Sequence, residues 1–353
     1  MRTFISGPIC GAAFILMTVV TTVGAGAAGG SSPAGGLTPA TLDRLPHLPG
    51  GLASLPPGFP ITPAQASKIS LGRALFFDKL LSGDRLSSCA TCHDPQFAFA
   101  DGKPLSSGFR GKRLRRHSPT VLNAVFTLPQ FWDGRATGLE AQATMPIMSS
   151  DEMNMTTEAM LVDRLDADAG YRSSFRSVYG SPPNLKLVAD ALAAFEQTLV
   201  TPDSPFDRYV RGDRGALSAQ QKRGLVLFVG KAACTQCHNG PNLTDGNFHN
   251  VGVPAGSGQP PDAGRFEVTK DPKDRGAFKT PTLRNVDRTA PYLHDGSVAT
   301  LEEIVDLYNR GGGPGTGKSD LLFELGLKAD EKNDLVAFLH TLTGRMPLGI
   351  DGR

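Results

Sequence analysis

Cysteine is scarce in this chain, and none of it is spare. Five cysteines occur in 353 residues. Four of them fall in two copies of one short pattern, which leaves no pair for a structural disulfide. The fifth, Cys10, lies in an N-terminal stretch that reads as removable. An excess of one charge is missing as well: 36 basic and 34 acidic side chains give a formal net charge of +2. That balance excludes the strongly basic surface of a nucleic-acid binder. Beyond the N-terminal stretch no apolar run is long enough to span a bilayer. Tryptophan occurs once, at Trp132.

What is there is a repeated pentapeptide. Cys89-Ala90-Thr91-Cys92-His93 and Cys234-Thr235-Gln236-Cys237-His238 both have the attachment signature of a c-type haem. Two thiols add across the two vinyl groups of a haem, and the adjacent imidazole becomes an iron ligand. A zinc site would pair two such motifs roughly 12–20 residues apart, and a thioredoxin-like pair needs no histidine. Two covalent haem c groups, on His93 and His238, are therefore the cofactors expected.

The N-terminus reads as an export signal. Arg2 supplies the positive end, Phe4 to Val23 is largely apolar, and Ala25-Gly26-Ala27 offers a small-residue cleavage site. Residues 1–27 are thus expected to be removed on the way to a bacterial periplasm. Residues 28–60, rich in Gly, Ser and Pro, are read as a flexible lead-in.

The remainder uses one plan twice. Gly72-Arg73-Ala74-Leu75-Phe76 and Gly224-Leu225-Val226-Leu227-Phe228 share Gly-x-x-Leu-Phe, and each stands in a predicted helix ahead of a haem motif. Thr62-Pro63-Ala64-Gln65 and Ser218-Ala219-Gln220-Gln221 have capping-box spacing. Each half closes on a helical apolar stripe: Leu185, Val188, Leu192, Phe195 and Leu199, then Leu335, Val336, Phe338, Leu339 and Leu342. The predicted fold is mostly α, with two cytochrome c-like domains over 61–200 and 201–353 and long loops to enclose the haems. A basic run, Arg110, Lys112, Arg113, Arg115 and Arg116, reads first as a solvated loop and second as a docking patch or propionate contact.

The sixth position of each iron stays open on spacing alone. Candidates near the first haem are His117, Met145, Met148, Met153 and Met155. Near the second they are His249, Tyr292, His294, Tyr308, His340 and Met346. A strong ligand there makes an electron carrier, and an empty position admits peroxide.

Longer motifs narrow the choice. Leu81-Ser82-Gly83-Asp84, Ser88 to Pro95, Ser118-Pro119-Thr120-Val121-Leu122-Asn123 and Phe131-Trp132-Asp133-Gly134-Arg135 resemble the bacterial di-haem cytochrome c peroxidase family, which includes MauG. So do Lys279 to Asn285 and Pro291-Tyr292-Leu293-His294-Asp295-Gly296. The resemblance runs in unbroken order from about residue 65 to 344. It implies a peroxide-reacting haem in the first domain and an electron-transfer haem in the second. By that resemblance Trp132 lies between the haems. Gln142, Pro146 and Glu152, which stand 10, 14 and 20 residues after it, form the pocket over the first haem. The second haem's sixth ligand falls on Tyr308, fourteen residues after His294. Peroxidase members have methionine there, whereas MauG has tyrosine.

Two further positions depart from the peroxidase pattern. The loop histidine that blocks the resting first haem in peroxidase members falls near Phe109. His117 stands where a calcium-binding asparagine is found, and the other ligands of that implied Ca2+ are carbonyls around Thr289 and Pro291. Calcium takes hard oxygen donors, so this replacement costs the site one.

The expected activity is peroxide-driven oxidation of a residue, foremost tryptophan, on a periplasmic partner protein, as in MauG. Glu152 would carry the proton, Gln142 would hold peroxide or water, and Trp132 would relay the oxidising hole. The alternative is a cytochrome c peroxidase drawing electrons from a small cytochrome c or cupredoxin. A reading from another class is a pure electron carrier with both irons six-coordinate.

Overall fold

Thr62 and Ser218 start the two helices on which the fold is built. Thr62 accepts a hydrogen bond from the Gln65 amide while the Gln65 side chain accepts one from the Thr62 amide. Ser218 and Gln221 repeat the exchange. Each box satisfies N–H groups that a helix start leaves unpaired. The computed structural model describes residues 36–56, 61–254 and 261–347. The principal helices among them are α1 (Pro63–Phe77), α2 (Leu139–Met148), α3 (Leu185–Glu196), α4 (Ala219–Val229), α5 (Leu301–Asn309) and α6 (Ala329–Leu339). Strand is confined, among the described residues, to Phe248–His249 and Phe278–Lys279, paired antiparallel with Phe248 opposite Lys279. The mostly α expectation holds.

The shared Gly-x-x-Leu-Phe brings two helices together in each half. In α1, a Cβ on Gly72 would lie 1.8 Å from the Ala191 carbonyl of α3, and in α4 one on Gly224 would lie 2.0 Å from the Asp334 carbonyl of α6. Only glycine lets the backbones approach so closely. The phenylalanines then lock the pairs: Phe76 meets Phe195 at 5.2 Å between ring centroids, and Phe228 meets Phe338 at 5.1 Å. Edge-on aromatic pairs of this kind add about 0.5–1.5 kcal/mol beyond burial of their area. Around these crossings lie two apolar clusters. One runs from Leu71 to Leu199 and takes in Val188, Leu192 and Phe195; the other holds Phe228, Leu335, Phe338 and Leu342.

The repetition extends into the irregular loops at a constant spacing of 162 residues. Asn123 and Asn285 both adopt the left-handed conformation, with φ of 60°. Phe131 and Leu293 do so at 69° and 72°. Leu139 and Leu301 begin α2 and α5, and Ala143 and Val305 are buried one turn later. Phe131-Trp132-Asp133-Gly134 is therefore the counterpart of Leu293-His294-Asp295-Gly296.

One expectation is corrected. The lead-in was read as flexible, but residues 36–56 form a strap packed on the second cluster, where Leu42, Leu48 and Leu52 are buried. The Leu55 amide donates to Asp207 at 3.0 Å, and the Tyr209 hydroxyl donates to Asp43 at 2.8 Å. Gly50 lies against Thr235 of the second haem motif, and its carbonyl accepts from Gly240 at 3.4 Å. Composition hid the leucines among glycine and proline. The export signal, residues 1–27, lies outside the described residues. Among the described residues no helix is long and apolar enough to cross a membrane.

The basic run is solvent-exposed at Arg110, Lys112, Arg113 and Arg115, as its first reading has it, and departs from that reading at Arg116. Arg116 is mostly buried and bonds Asp133 at 2.6 Å and Asp262 at 2.8 Å, while the exposed Arg115 reaches Glu267 at 2.9 Å. Arg265 returns bonds to the carbonyls of Asp133 and Gly134. The end of the run, Arg115 and Arg116, is an ion-paired clamp between residues 115–135 and 262–267.

Candidate functional site

The two pentapeptides fold alike. Cys89–Cys92 is a single helical turn and Cys234–Gln236 a 3-10 turn. His93 N bonds the Cys89 carbonyl at 2.9 Å, and His238 N bonds the Cys234 carbonyl at 2.8 Å. His93 Nδ1 donates to the Phe99 carbonyl at 3.1 Å, and His238 Nδ1 donates to the Leu243 carbonyl at 3.1 Å. Both accepting residues stand in the left-handed region, with φ of 59° and 52°, which is uncommon without glycine. Because a carbonyl only accepts, the proton sits on Nδ1 and the lone pair of Nε2 is free for a metal. Burial keeps both imidazoles neutral, holding His93 below its ordinary range and His238 down to about 4.

Burial pushes the thiols of Cys89 and Cys234 up to about 12, and those of Cys92 and Cys237 up to about 11. A thioether carries no charge and suits these half-buried positions. Each cluster of two thiols and one oriented imidazole fits a haem held by two thioethers and an iron–nitrogen bond.

A large cavity beside the second motif is lined by Cys234, Cys237, His238 and Tyr308, and it extends to Trp132, His117 and His294. The remaining sixth-ligand candidates there are engaged elsewhere. His249 pairs with Asp245 at 3.0 Å, the Tyr292 hydroxyl donates to the Val286 carbonyl at 2.9 Å, and His294 stacks on Phe278 at 3.6 Å. His340 sits at the exposed end of α6 near Asp287, and Met346 packs on the first cluster. Tyr308, on α5, is different. Among the described residues its hydroxyl has no hydrogen-bond partner, and the thiols of Cys237 and Cys234 face it closely enough to raise its pKa further. Burial already pushes that phenol well above its ordinary range.

The helix α2 carries Gln142 and Pro146, and the turn that follows α2 carries Glu152. Burial raises the Glu152 carboxyl, as does Asp151, while Arg135 opposes both. The Glu152 charge in turn adds to the raising of the Cys92 thiol. Met153 and Met155 are buried in the core, whereas Met145 is partly exposed. The 162-residue register sharpens the contrast between the halves. Pro146 on α2 is the counterpart of Tyr308 on α5, and Gln142 is the counterpart of Ile304. One helix thus presents a side chain with no donor atom and a polar amide, and the other a phenol and an aliphatic chain. Sequence reading missed this correspondence. Its signal was present in the shared aromatic-or-aliphatic-x-Asp-Gly of Phe131 to Gly134 and Leu293 to Gly296.

Trp132 lies in the seam between the halves. Its Nε1 donates to the His117 carbonyl at 2.9 Å, and its own carbonyl accepts from Lys279 N at 2.7 Å. His117 N in turn bonds the His294 carbonyl at 2.7 Å, and its Nδ1 donates to the Lys103 carbonyl at 2.8 Å. His117, Thr289 and Pro291, the three positions expected around calcium, all line the large cavity. They do not suit that ion. With Nδ1 engaged, His117 offers a nitrogen to a cation that prefers six to eight oxygens.

The sequence profile of the di-haem cytochrome c peroxidase family matches residues 66–215. The chain is 40% identical over 330 residues to the cytochrome-c peroxidase IdrP1 of Pseudomonas sp. (strain SCT), covering 84% of this chain and 86% of that protein. It is 43% identical over 289 residues to the methylamine utilization protein MauG of Methylorubrum extorquens, covering 81% and 80%. Among solved structures, a MauG-like protein associated with microbial copper homeostasis superposes with a TM-score of 0.74 at 35% identity, covering 82% of this chain and 93% of that one.

Proposed function

This chain belongs to the di-haem cytochrome c peroxidase family, and from that premise we propose that it is a MauG-like enzyme. It uses hydrogen peroxide to oxidise a residue, foremost a tryptophan, on a periplasmic partner protein by long-range electron removal. Residues 61–200 would hold one haem through Cys89, Cys92 and His93. Residues 201–353 would hold the other through Cys234, Cys237 and His238, with the Tyr308 phenol available as a further protein ligand. When bound, the haems would supply the redox chemistry, in which H2O2 takes up two protons and two electrons to become two waters and the two electrons are drawn from the partner.

The observation that carries this reading is the pairing of Pro146 with Tyr308. A proline side chain has no donor, so α2 would offer a bound iron no ligand at the position where α5 would offer a phenol. A tyrosinate ligand donates charge and favours oxidised iron, whereas methionine favours the reduced state. Tyr308 therefore suits a protein that holds oxidising equivalents until a partner supplies electrons. The loop at 105–113 supports the same reading: it contains no histidine, and Phe109 N is bonded to the Asp151 carbonyl at 2.9 Å.

The side chains divide the remaining work. Glu152, kept by burial nearer to neutrality than a free carboxyl, carries a proton from one peroxide oxygen to the other. Gln142 holds peroxide or water by hydrogen bonds. Trp132, fixed at both its indole N–H and its carbonyl, relays the hole between the halves. No step is assigned to calcium.

The second reading is a cytochrome c peroxidase fed by a small cytochrome c or cupredoxin, and the 40% identity to IdrP1 favours it. Stopped-flow mixing of the fully oxidised holoenzyme with H2O2, with and without prior half-reduction, separates the two. We expect peroxide to be consumed without reduction and small donors to be oxidised slowly. Rapid donor oxidation that depends on half-reduction would establish the peroxidase instead.

A further inference from the structure

The turn that carries Glu152 is gripped from two sides by backbone. On one side Gly108 lies so close that an added Cβ would stand 1.9 Å from the Asp151 carbonyl oxygen. Phe109 N donates to that same oxygen at 2.9 Å, and Lys112 reaches the Asp151 carboxylate. On the other side a Cβ on Gly83 would stand 2.3 Å from the Asn154 carbonyl oxygen, and Gly83 N donates to the Met153 carbonyl at 2.7 Å. The residues immediately before and after Glu152 are thus both held, each by a glycine that tolerates no side chain. Neither glycine has a positive φ, so close approach alone demands them.

One jaw lies against the first haem motif and the other leads into it. The Ser107 carbonyl, next to Gly108, stands 3.9 Å from Cys92 Sγ. Ser106 is fully buried and bonds the Ser118 hydroxyl at 2.7 Å. Gly83 lies six residues before Cys89. Its carbonyl accepts from Arg164 at 2.8 Å, and the same guanidinium bonds the carbonyl of Ser82 at 2.5 Å.

We infer that Gly83 and Gly108 are positioning residues for Glu152, forming a backbone clamp that sets the height of its carboxyl over the first haem motif. The inference rests on the proposed acid–base role of Glu152, and nothing in that role requires the clamp. An exposed glutamate on a free turn would sample many rotamers, and each would carry the proton to a different place. Fixing the backbone on both sides narrows the range of carboxyl positions before peroxide arrives. The groups that face this carboxyl are Arg135, from the loop after Trp132, and Asp151, whose exposed partner is Lys112.

The test compares Gly83→Ala, Gly108→Ala and Glu152→Gln in the haem-loaded protein. Each alanine forces about an ångström of backbone movement, and misplacement on that scale costs on the order of 10²-fold in rate. We expect both alanine variants to bind a full complement of haem and to react with peroxide about 10²-fold more slowly. The pH limb that Glu152→Gln abolishes should also move toward that of an ordinary carboxylate. Amide hydrogen exchange supplies a readout apart from activity. In the wild-type holoenzyme the N–H groups of Phe109 and Gly83 should be protected, and each alanine variant should lose that protection at its own jaw. Wild-type rate and pH profile in both alanine variants, alongside a slow Glu152→Gln, would overturn the clamp. So would free exchange of both amides in the wild type, which needs no variant to fold. A Glu152→Gln variant as fast as wild type would instead overturn the acid–base role.

Discussion

Replacing Arg284 with methionine should strongly destabilise the C-terminal half. Arg284 and Asp207 are both 0% exposed, with Nη1 2.7 Å from Oδ1. The same guanidinium donates to the Pro241 carbonyl at 2.6 Å and to the Ala53 carbonyl of the strap at 3.0 Å. Breaking a buried ion pair costs about 3–5 kcal/mol, because the survivor is left charged in a poor dielectric. Asp207 would keep Leu55 N, Ser204 N and Ser204 Oγ as donors, which argues for the lower end. The two orphaned carbonyls restore about 1 kcal/mol of loss, for a total of about 4 kcal/mol. At about 2–4 °C per kcal/mol for a large domain, Tm should fall by roughly 10 °C. Guanidinium unfolding of the holoenzyme measures the energy, and limited proteolysis within residues 36–56 reports release of the strap. The paired change Arg284→Met with Asp207→Asn should recover part of the loss, since it removes the stranded charge while leaving a side-chain oxygen to accept from the buried donors around it. A single variant within about 1 kcal/mol of wild type, or a double variant no better than the single, would refute the reasoning.

Other outcomes follow from the same contacts. Burial alone would raise the Asp262 carboxyl, but hydrogen bonds from Arg116 hold it down to about 2. A depressed acid stabilises above its unfolded pKa, so about 2 kcal/mol should be lost as pH falls from about 4 toward 2. Asp262→Asn should flatten that part of an acid-denaturation curve. Glu196, buried in α3, is pushed up to about 8 by burial, with the Glu140 charge adding to the effect. For this raised acid the sign reverses, and stability falls as pH climbs from about 4.5 to 8. Glu196→Gln should therefore match wild type in unfolding midpoint near pH 5 and exceed it at pH 8 to 9. Tyr308→Met should keep both haems attached but make the peroxide reaction depend on prior reduction, as read by rapid mixing.

Much of the architecture was legible because its signals are local. The boxes at Thr62 and Ser218, the stripes of α3 and α6, and the two pentapeptides each lie within a few turns of chain, where spacing dictates contact. The strap was not legible. Its buried leucines are scattered among glycine and proline, and their partners lie far along the chain in the second cluster. The pairing of Arg116 was hidden for a similar reason: it finds Asp262 146 residues away, and no local pattern announces such a pair. The site was legible in its parts. Gln142, Pro146, Glu152, Trp132 and Tyr308 were all singled out, but their relation was not. That Pro146 and Tyr308 occupy the same place in two copies of one fold becomes visible only when the left-handed turns and the starts of α2 and α5 fix the register.

The central claim is that the open first iron, Trp132 and the tyrosine-bound second iron act as one oxidising unit that needs no reductant to react. It is tested most directly by mixing fully oxidised, haem-loaded protein with one equivalent of H2O2, freezing within milliseconds to seconds, and recording the Mössbauer spectrum. The account predicts that the ferric signals of both irons diminish together in favour of a more oxidised state shared across the two haems, and that this state decays when a partner tryptophan is supplied. A spectrum that stays ferric at both irons, or one that changes only after an electron has been added to the second haem, would contradict it.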